Sequence, residues 1–525
     1  MKDRLVITAA FVAMCIGAAV FRRWLRRRRY ARGRILNRQR QRVRKTTGGL
    51  RWGNNWIDSA SANQHFLAVG TTGSGKSLVQ RLLMKDALQN IKSSGDTRAL
   101  IFDAKNDIVG FLQHCGVDCP VYSLNPFESR DEFPAAVRWD IAGDITSPAR
   151  AMNLAACLIP AENGGSNQYF TDAARQVISG VVESLIRHSP GVWTFSDFVF
   201  GSLSMERLRQ ILDRDAAGRD VLENFFGDER TAYQVFTTVA SRMNYFRPVA
   251  ALWQRCERAI SIRHWLQSDS ILLLGMNASS QMALNAINET VFRVVVEEID
   301  SQADSRSRRT WIWIDEARLS GPILRGPLLP YLAVKGRSRG ACLVLAFQDI
   351  EGFREAAGVR IANEIIAQCS HKALLRLESE ESAAWASRTI GQYEVLDTMI
   401  SSPTALSRGG TRSEQVARRD AVMASEFFGL PPTSSRHGLT GCFLTPHNGV
   451  VRATISGQIL REVFVPDELE SRLAFVERSE FDQWLRSWSD DDLYRLKLRN
   501  TLEQSEDREQ RTRLRLRNPS SIRVP

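Results

Sequence analysis

Short runs of consecutive apolar residues alternate along the chain with stretches in which apolar residues recur at helical spacing. Continuous apolar runs indicate strands that are covered on both faces, as in the parallel sheets of α/β proteins. The predicted strands lie at residues 63–69, 99–102, 121–124, 271–274, 311–314, 342–347 and 372–377. Helical spacing separates several of them, over residues 76–90, 283–301, 322–335 and 358–368. This alternation predicts an α/β fold built on a doubly wound sheet.

The alternation stops between residues 145 and 266, where helical spacing dominates and no convincing strand precedes Ile271. We therefore expect an all-helical domain inserted into the α/β domain, in a chain whose 525 residues suffice for several domains. The predicted order is a membrane anchor at 1–25, a basic juxtamembrane arm at 26–45, the first part of the α/β domain at 46–144, the all-α domain at 145–266, the second part of the α/β domain at 267–470, and a charged C-terminal tail at 471–525.

An N-terminal membrane helix is predicted from residues 5–21, a stretch of seventeen residues without a charge. This is the short end of the length that spans a bilayer. A dense arginine block follows at residues 22–29, so the positive-inside rule predicts a single-pass protein with its body in the cytoplasm. A cleaved signal peptide is the competing interpretation, but a basic block directly after the apolar run opposes translocation.

The charge distribution changes how the overall formal charge of +12 is interpreted. Residues 22–45 contain thirteen Arg and Lys and no acid, and without them the rest of the chain carries −1. The basic character is therefore local, and it fits contact with anionic lipid better than a DNA-binding surface over the whole body. The eight cysteines show no paired zinc spacing, which is typical of a reducing cytosol.

A glycine-rich loop follows the first predicted strand and matches the pattern G-x-x-x-x-G-K-[ST] in full. In such a P-loop the backbone N–H groups and the N-terminus of the next helix hold phosphates. Lys76 is expected to reach the β and γ phosphates of ATP, and Ser77 to bind Mg²⁺. The α/β domain is therefore predicted to be a nucleotide-binding domain. The predicted nucleotide-binding residues are Gly70, Thr71, Thr72, Gly73, Ser74, Gly75, Lys76 and Ser77.

Polar residues at the ends of two later strands complete the predicted site. Asp315 and Glu316 follow the strand at 311–314, where Asp315 is expected to hold Mg²⁺ and Glu316 to polarise the attacking water. Gln348 ends the next strand and is a candidate for sensing the γ-phosphate. The alternatives are two acids that cap the next helix and a simple turn residue.

Two other charged regions receive weaker assignments from the sequence. The basic loop at 335–340 is a candidate for presenting an arginine to a neighbouring subunit, and a solvated loop is the alternative. Glu289, Glu297 and Glu298 lie on the predicted helix at 283–301. No apolar strand leads into them, so we assign them to a solvated face.

Taken in order, these pieces resemble the type IV secretion coupling proteins of bacterial conjugation, the TrwB/TraD family. The similarity covers about residues 45–470. The matching pieces are residues 71–77, 101–107, 124–127, 313–316, 335–340, 347–348 and 380–391. The P-loop is shared by many ATPases, whereas this ordered set with a helical insertion between its halves is much more specific.

The resemblance implies a RecA-like ATPase motor that assembles as a homo-hexamer on the cell inner membrane. Such proteins link the relaxase-bound single strand of DNA to the type IV secretion channel and use ATP and Mg²⁺ to move it. By motif position, Arg337 resembles the arginine that acts on a neighbouring subunit, with Arg339 as the alternative. Arg360 resembles a second residue that contacts the nucleotide. Family members commonly carry two membrane helices, whereas only one is predicted here.

Two other functions stay open at the level of the sequence. A double-stranded DNA translocase of the chromosome-segregation type predicts a C-terminal winged helix and a multi-span anchor, and the chain shows neither feature. A nucleotide-gated membrane scaffold would not need the acid pair Asp315-Glu316. DNA contact is weakly supported, because no platform of basic and aromatic residues of the single-strand-binding kind stands out in the sequence.

Overall fold

The computed structural model describes residues 32–33, 36–38, 49–92, 95–161, 168–400, 412–446 and 449–498. The chain divides into two compact units. The first unit comprises residues 1–86 and 345–464, and the second comprises residues 87–344 and 465–525. The domain boundaries predicted from the sequence stay predictions.

The strands are named in chain order. They are β1 (Arg32–Gly33), β2 (Leu36–Arg38), β3 (Leu50–Trp52), β4 (Asn55–Ile57), β5 (Phe66–Val69), β6 (Thr97–Asp103), β7 (Val121–Ser123), β8 (Ala135–Ala136), β9 (Arg138–Trp139), β10 (Ala259–Ile260), β11 (Ile271–Gly275), β12 (Arg309–Ile314), β13 (Ala341–Phe347), β14 (His371–Leu374), β15 (Gln392–Ile400), β16 (Arg412–Asp420), β17 (Leu439–Thr445) and β18 (Gly449–Ile455).

The α-helices are named in the same way. They are α1 (Lys76–Leu88), α2 (Ile108–His114), α3 (Ile141–Asp144), α4 (Pro148–Leu158), α5 (Gln168–His188), α6 (Phe195–Ser202), α7 (Met205–Leu212), α8 (Ala216–Phe226), α9 (Glu229–Asn244), α10 (Arg247–Gln254), α11 (Ile262–Trp265), α12 (Gln281–Ser301), α13 (Pro322–Arg325), α14 (Leu328–Lys335), α15 (Ile350–Ala357), α16 (Val359–Gln368), α17 (Glu380–Ile390), α18 (Ala424–Phe428), α19 (Gly457–Leu460), α20 (Asp467–Arg472) and α21 (Asp490–Arg495). Short 3₁₀ helices occur at Ser59–Gln64, Ala278–Ser280, Ala317–Ser320 and Glu480–Gln483.

The first unit contains a mixed sheet with the strand order β2-β18-β17-β14-β5. β14 and β5 are parallel, whereas β17 is antiparallel to both of its neighbours. A long antiparallel hairpin, β15–β16, also belongs to this unit and was not predicted from the sequence. All residues of β5 are buried, which agrees with the apolar run that predicted a strand there.

The second unit contains a parallel sheet with the strand order β12-β6-β11-β7-β8. Each neighbouring pair in this order is parallel. Every residue of β6, β11 and β12 is buried, so these strands are covered on both faces as their continuous apolar sequences predict. The prediction of parallel strands separated by helices is confirmed for this unit.

Helices α4 to α10 carry the chain from residue 148 to residue 254, and the described part of that range contains no strand. The prediction that no strand precedes Ile271 is nevertheless wrong at one point. The two-residue strand β10 pairs in parallel with β9, although the two strands are separated by more than a hundred residues. Two residues are too few to show an alternation of apolar and polar positions, so the sequence did not indicate this strand.

A buried carboxylate joins the two ends of this helical segment. Asp144 has no exposed surface, and it accepts hydrogen bonds from Trp139 Nε1 at 2.7 Å and Ser261 Oγ at 2.7 Å. The backbone N–H groups of Ile262 and Arg263 donate to it at 2.8 Å and 3.2 Å. Burial raises the pKa of Asp144, and the four donors act in the opposite direction. This cluster and the β9–β10 pair hold together the points where the chain enters and leaves the helices.

The assignment of three glutamates to a solvated face is wrong. Arg150 of α4 forms ion pairs with Glu297 at 3.1 Å and with Glu298 at 2.6 Å, and both carboxylates are less than one-third exposed. Glu289 is half-buried, and burial raises its pKa. These acids on α12 therefore fix the helical segment against the α/β part of the same unit. The helix predicted at 322–335 is also divided, into α13 and α14, at Gly326-Pro327.

Among the helices in the described ranges, none combines the length and apolar character needed to cross a bilayer. The predicted anchor at 1–25 lies outside those ranges, as does most of the basic arm at 26–45. Residues 499–525 of the predicted tail also lie outside them. These three assignments stay predictions.

Replacing Asp144 with alanine should destabilise the protein by about 3 kcal/mol, because several buried donors would lose their acceptor together. Urea denaturation followed by tryptophan fluorescence measures this change. Asp140→Ala is the matched control: Asp140 accepts one hydrogen bond, from the N–H of Gly143, at the N-terminus of α3. Its loss should cost only about 1 kcal/mol. Equal effects of the two substitutions would contradict the special role of Asp144.

Candidate functional site

The P-loop lies between β5 and α1, as the sequence predicts. Gly73 and Gly75 have φ angles of 75° and 93°, a region that side chains with a Cβ rarely adopt. At Gly75 an added Cβ would also lie 2.3 Å from Leu439 Cδ1. These two positions therefore need glycine, one for its backbone conformation and the other for both conformation and space.

Two backbone carbonyls and one distant threonine hold the loop in place. Gly70 N–H donates to the carbonyl of Phe347 at 3.3 Å, and Thr71 N–H donates to that of Arg376 at 2.9 Å. Thr433 Oγ1 donates to the Ser74 carbonyl at 2.8 Å. The sequence analysis missed Thr433, because nothing in its surroundings marks a residue that contacts a loop more than 350 positions away.

The side chains of the loop are arranged to receive an anion. Lys76 is only 6% exposed, and its Nζ donates to the Thr71 carbonyl at 3.3 Å. The buried Ser74 Oγ has no hydrogen-bond partner among the described residues. Ser77 is half-buried in the first turn of α1, a helix of thirteen residues. A helix N-terminus, a curved glycine-rich backbone and a buried ammonium group together suit a phosphate chain.

The structure connects one of the two other candidate residues of the first unit with the P-loop. Gln348 is exposed and directly follows Phe347, whose carbonyl binds the N–H of Gly70. Arg360 is exposed in the first turn of α16. Within the described residues no ion pair joins Arg360 to another side chain, and no hydrogen bond connects it to the loop.

The acid pair lies in the second unit, directly after β12. Glu316 has a φ of 54°, a left-handed conformation that is costly for a residue other than glycine. Its N–H donates to Asp315 Oδ1 at 3.1 Å. β12 pairs with β6 so that Ile314 lies opposite Phe102. The residues that follow the two strands therefore emerge at the same edge of the sheet.

Lys105 lies at this edge and contacts both acids. Its Nζ is 3.1 Å from Glu316 Oε1 and 3.9 Å from Asp315 Oδ2. Burial lowers the pKa of Lys105, but the charges of Asp315, Glu316 and Asp107 outweigh it and raise the pKa overall. The two carboxylates thus already bind the ammonium group of Lys105. Carboxylates that bind Mg²⁺ must likewise face a cation. The sequence predicts a strand at residues 99–102, and residues 101–107 carry part of the resemblance, but no pattern in the sequence gives Lys105 a role.

Asp103 holds the turn that carries Lys105. Its carboxylate accepts the N–H groups of Asp107 and Ile108, both at 3.2 Å. Burial and the charge of Asp107 raise the pKa of Asp103 to about 6, against the effect of these hydrogen bonds. Asn106 in the same turn has a φ of 55°. A buried acid and a left-handed residue therefore determine where the Lys105 side chain begins.

The two arginines of the basic loop have different surroundings. Arg339 forms an ion pair with Asp300 and donates through Nε to the carbonyl of Gln302 at 3.2 Å. Arg337 is exposed in the turn that follows α14. Arg339 is therefore held within its own chain, and Arg337 is the more exposed of the two arginines.

The predicted residues thus form two groups that are each coherent. In the first unit, Gln348 directly follows Phe347, whose carbonyl accepts the N–H of Gly70 in the P-loop. In the second unit Asp315 and Glu316 come together with Lys105. Arg337 and Arg360 belong to neither group. The roles assigned to all these residues stay predictions.

Comparison with known proteins covers most of the chain. A family model described as the type IV secretion-system coupling protein DNA-binding domain matches residues 56–446. A solved structure of the bacterial conjugative coupling protein TrwBdeltaN70, in an unbound form, is similar with a TM-score of 0.63 and 19% identity, over 83% of this chain and 93% of that one. No curated protein matches the sequence significantly.

Nucleotide complexes of the same relative are similar to this chain as well. The plasmid coupling protein TrwB in complex with ADP and Mg²⁺ shows a TM-score of 0.63 and 18% identity, over 85% of this chain and 97% of that one. The complex with the ATP analogue ADPNP gives the same values. At such identities the likeness shows the fold, and the predicted RecA-like P-loop architecture is confirmed.

Replacing Lys105 with methionine should lower the Mg²⁺ concentration needed for half-maximal triphosphate turnover about five-fold, because the ammonium group competes with the metal for Asp315 and Glu316. The side chain is 45% exposed, so solvent limits the effect to about 1 kcal/mol. Magnesium titrations of turnover measure this change. Lys105→Arg should keep the original requirement. The exposed Lys92→Met removes the same charge elsewhere, and an equal shift in that variant would contradict direct competition.

Proposed function

This chain belongs to the family of type IV secretion-system coupling proteins, and from that premise we propose that it is an ATPase motor of bacterial conjugation. It hydrolyses ATP to move the relaxase-bound single strand of DNA toward a type IV secretion channel. The observation that carries the ATPase part is the built P-loop. Its two glycines with positive φ, its buried Lys76 and the N-terminus of α1 come together in one loop.

ATP and Mg²⁺ are the proposed ligands. TrwB, the relative with the same fold, has been solved with ADP and Mg²⁺ and with ADPNP. Mg²⁺ supplies positive charge to the phosphates when it is bound. Lys76 binds the β and γ phosphates, while Ser77 and Asp315 hold the metal. Glu316 orients and polarises the attacking water, and Gln348 senses the γ-phosphate.

A ring of subunits gives Arg337 its proposed role. A homo-hexamer would bring the exposed basic turn of one subunit to the nucleotide of the next, where an arginine stabilises the charge that develops on the phosphates. Arg337 is proposed because of its position in the basic loop, and Arg339, which binds Asp300 in its own chain, is the alternative. Arg360, exposed at the start of α16, is proposed as a second contact to the nucleotide.

The sequence and the family support a proposed location and a proposed set of partners. The apolar stretch at 5–21 and the basic block after it support a single-pass anchor in the cell inner membrane with the body in the cytoplasm. In that position the proposed partners are relaxase proteins on the cytoplasmic side and channel components in the membrane.

The full-length chain should hydrolyse ATP faster in the presence of single-stranded DNA, and the stimulation should fall steeply with salt because phosphate contacts release counterions. Lys76→Ala should abolish hydrolysis by removing the charge that holds the β and γ phosphates. Steady-state phosphate release measures both effects. Lys92→Ala, an exposed lysine just beyond α1, is the matched control. A rate of ATP hydrolysis that is unchanged by single-stranded DNA at low salt would contradict the proposed motor function.

Arg337→Ala should reduce turnover at least a hundred-fold while nucleotide binding stays intact, because an arginine of this kind acts on the transition state. Mixing Arg337→Ala with the inactive Lys76→Ala variant should restore part of the turnover. In mixed rings the Lys76→Ala subunits still supply Arg337 to their neighbours. Absence of recovery, or a loss of nucleotide binding by Arg337→Ala, would place the arginine's action within its own subunit.

A further inference from the structure

A groove with a volume of about 570 Å³ lies in the helical segment of the second unit. We call it the α9 groove, because one face of α9 forms its floor. Tyr233, Phe236 and Asn244 lie on that face, and Phe200 of α6, Arg207 of α7 and Arg247 of α10 complete the part that matters here. No acidic side chain lines the groove. Its lining is therefore a mixture of aromatic, polar and basic groups.

Two guanidinium groups in the groove have no carboxylate partner within the described residues. Arg207 is half-buried: its guanidinium carbon lies 3.8 Å from the centre of the Phe200 ring, and its Nε donates to the Phe200 carbonyl at 3.0 Å. Arg247 donates a hydrogen bond to the amide oxygen of Asn244 at 3.4 Å. Several other arginines of the helical segment are paired with acids; Arg187 of α5, for example, is paired with Asp215 at 2.8 Å.

The Phe200 ring holds the Arg207 guanidinium in a fixed position before any ligand arrives. Burial lowers the pKa of Arg207, although the neighbouring Glu206 acts in the opposite direction. The protein thus partly desolvates this cation without supplying an ion pair for it. An anion that entered the groove would provide the missing negative charge.

The aromatic residues narrow the class of anion. Tyr233 is 68% exposed, so its ring is accessible to a ligand. From Tyr233 to Asn244 the groove face of α9 extends about 16 Å at 1.5 Å per residue. A strand of a few nucleotides fits this length, with bases on the aromatic ring and phosphates on the arginines.

We propose that the α9 groove binds single-stranded nucleic acid, with Arg207 and Arg247 on phosphates and Tyr233 stacked on a base. A duplex keeps its bases stacked on one another, so the exposed ring favours a single strand. An acidic peptide would satisfy the arginines but would leave the ring and the Asn244 amide without a specific use. The inference rests on the proposed function, because it gives the transported strand a contact away from the nucleotide site.

The basic and aromatic platform that the sequence analysis did not find is thus assembled by the fold. Its members are separated by up to 47 residues and lie on four different helices. No local pattern connects them, because each is one polar or aromatic residue on an otherwise ordinary amphipathic helix.

The test measures binding of a fluorescent oligodeoxythymidylate to the full-length chain by anisotropy, over a range of salt concentrations. Arg207→Gln and Arg247→Gln should each weaken binding about five-fold at low salt. They should also reduce the slope of log affinity against log salt by about 0.7, the value for one phosphate contact on a single strand. Tyr233→Ala should weaken binding about ten-fold without changing that slope. Tyr233→Phe keeps an aromatic ring and should bind the oligonucleotide as tightly as the unaltered chain.

Arg219→Gln is the matched control, because it removes the same charge from α8 at a position that does not line the groove. If Arg219→Gln weakens oligonucleotide binding as much as the groove variants do, the loss of affinity reflects the overall charge of the protein, and the proposal is wrong. Unchanged affinity in all three groove variants would also overturn it. A third contrary result is displacement by polyglutamate combined with indifference to Tyr233→Ala, which would assign the groove to an acidic peptide.

Failure of the groove and failure of the motor are distinguishable in the same preparation. ATP hydrolysis by the unaltered chain reports on the proposed function alone. If hydrolysis is normal and the groove variants bind DNA like the unaltered chain, only the proposal for the α9 groove is wrong. If hydrolysis is absent while the groove variants lose DNA affinity as expected, the α9 groove binds DNA but the proposed motor function is wrong. Arg247 is exposed, so its substitution tests the proposal even if Arg207→Gln disturbs folding.

Discussion

The closure of the helical segment by Asp144 is the constraint on which the second unit depends. The chain leaves the α/β part near residue 145 and returns near residue 260, and strands from both sides of this excursion must pair. A fully buried carboxylate with four donors, together with the β9–β10 pair, holds the exit and the return side by side. Loop-closure entropy grows only slowly with length, so a long insertion is tolerated once its ends are joined.

Chemistry at the sheet edge follows from that closure. β6 precedes the helices and β12 follows them, yet the two strands are parallel neighbours in register. Their last residues therefore emerge at one edge, where Lys105 reaches Glu316 and Asp315. The buried Asp103 and the left-handed Asn106 shape the turn before Lys105, and Glu316 is itself left-handed. Strained backbone on both sides of an ion pair is typical of a site whose geometry serves a reaction.

The helical segment has a chemistry of its own. Several of its arginines are paired with acids, as Arg150 is with Glu297 and Glu298. Arg207 and Arg247 instead line a groove that has no acidic residue among its described lining residues. The same segment therefore contains ion pairs that fix helices in place, together with Arg207 and Arg247, which we propose bind a ligand. The proposed function requires both kinds, because rigid elements must carry the residues that would bind a strand.

The sequence by itself determined the features that are local. The P-loop was recognisable because strand, glycine-rich loop and helix are contiguous, and β6, β11 and β12 because each is an unbroken apolar run. Only the tertiary structure decided the contacts of Lys105 with Glu316, of Thr433 with Ser74, of Asp144 with Ser261, and of Arg150 with the glutamates assigned to solvent. Each joins residues that lie far apart in the chain, where periodicity and motif spacing carry no information about which polar groups will meet.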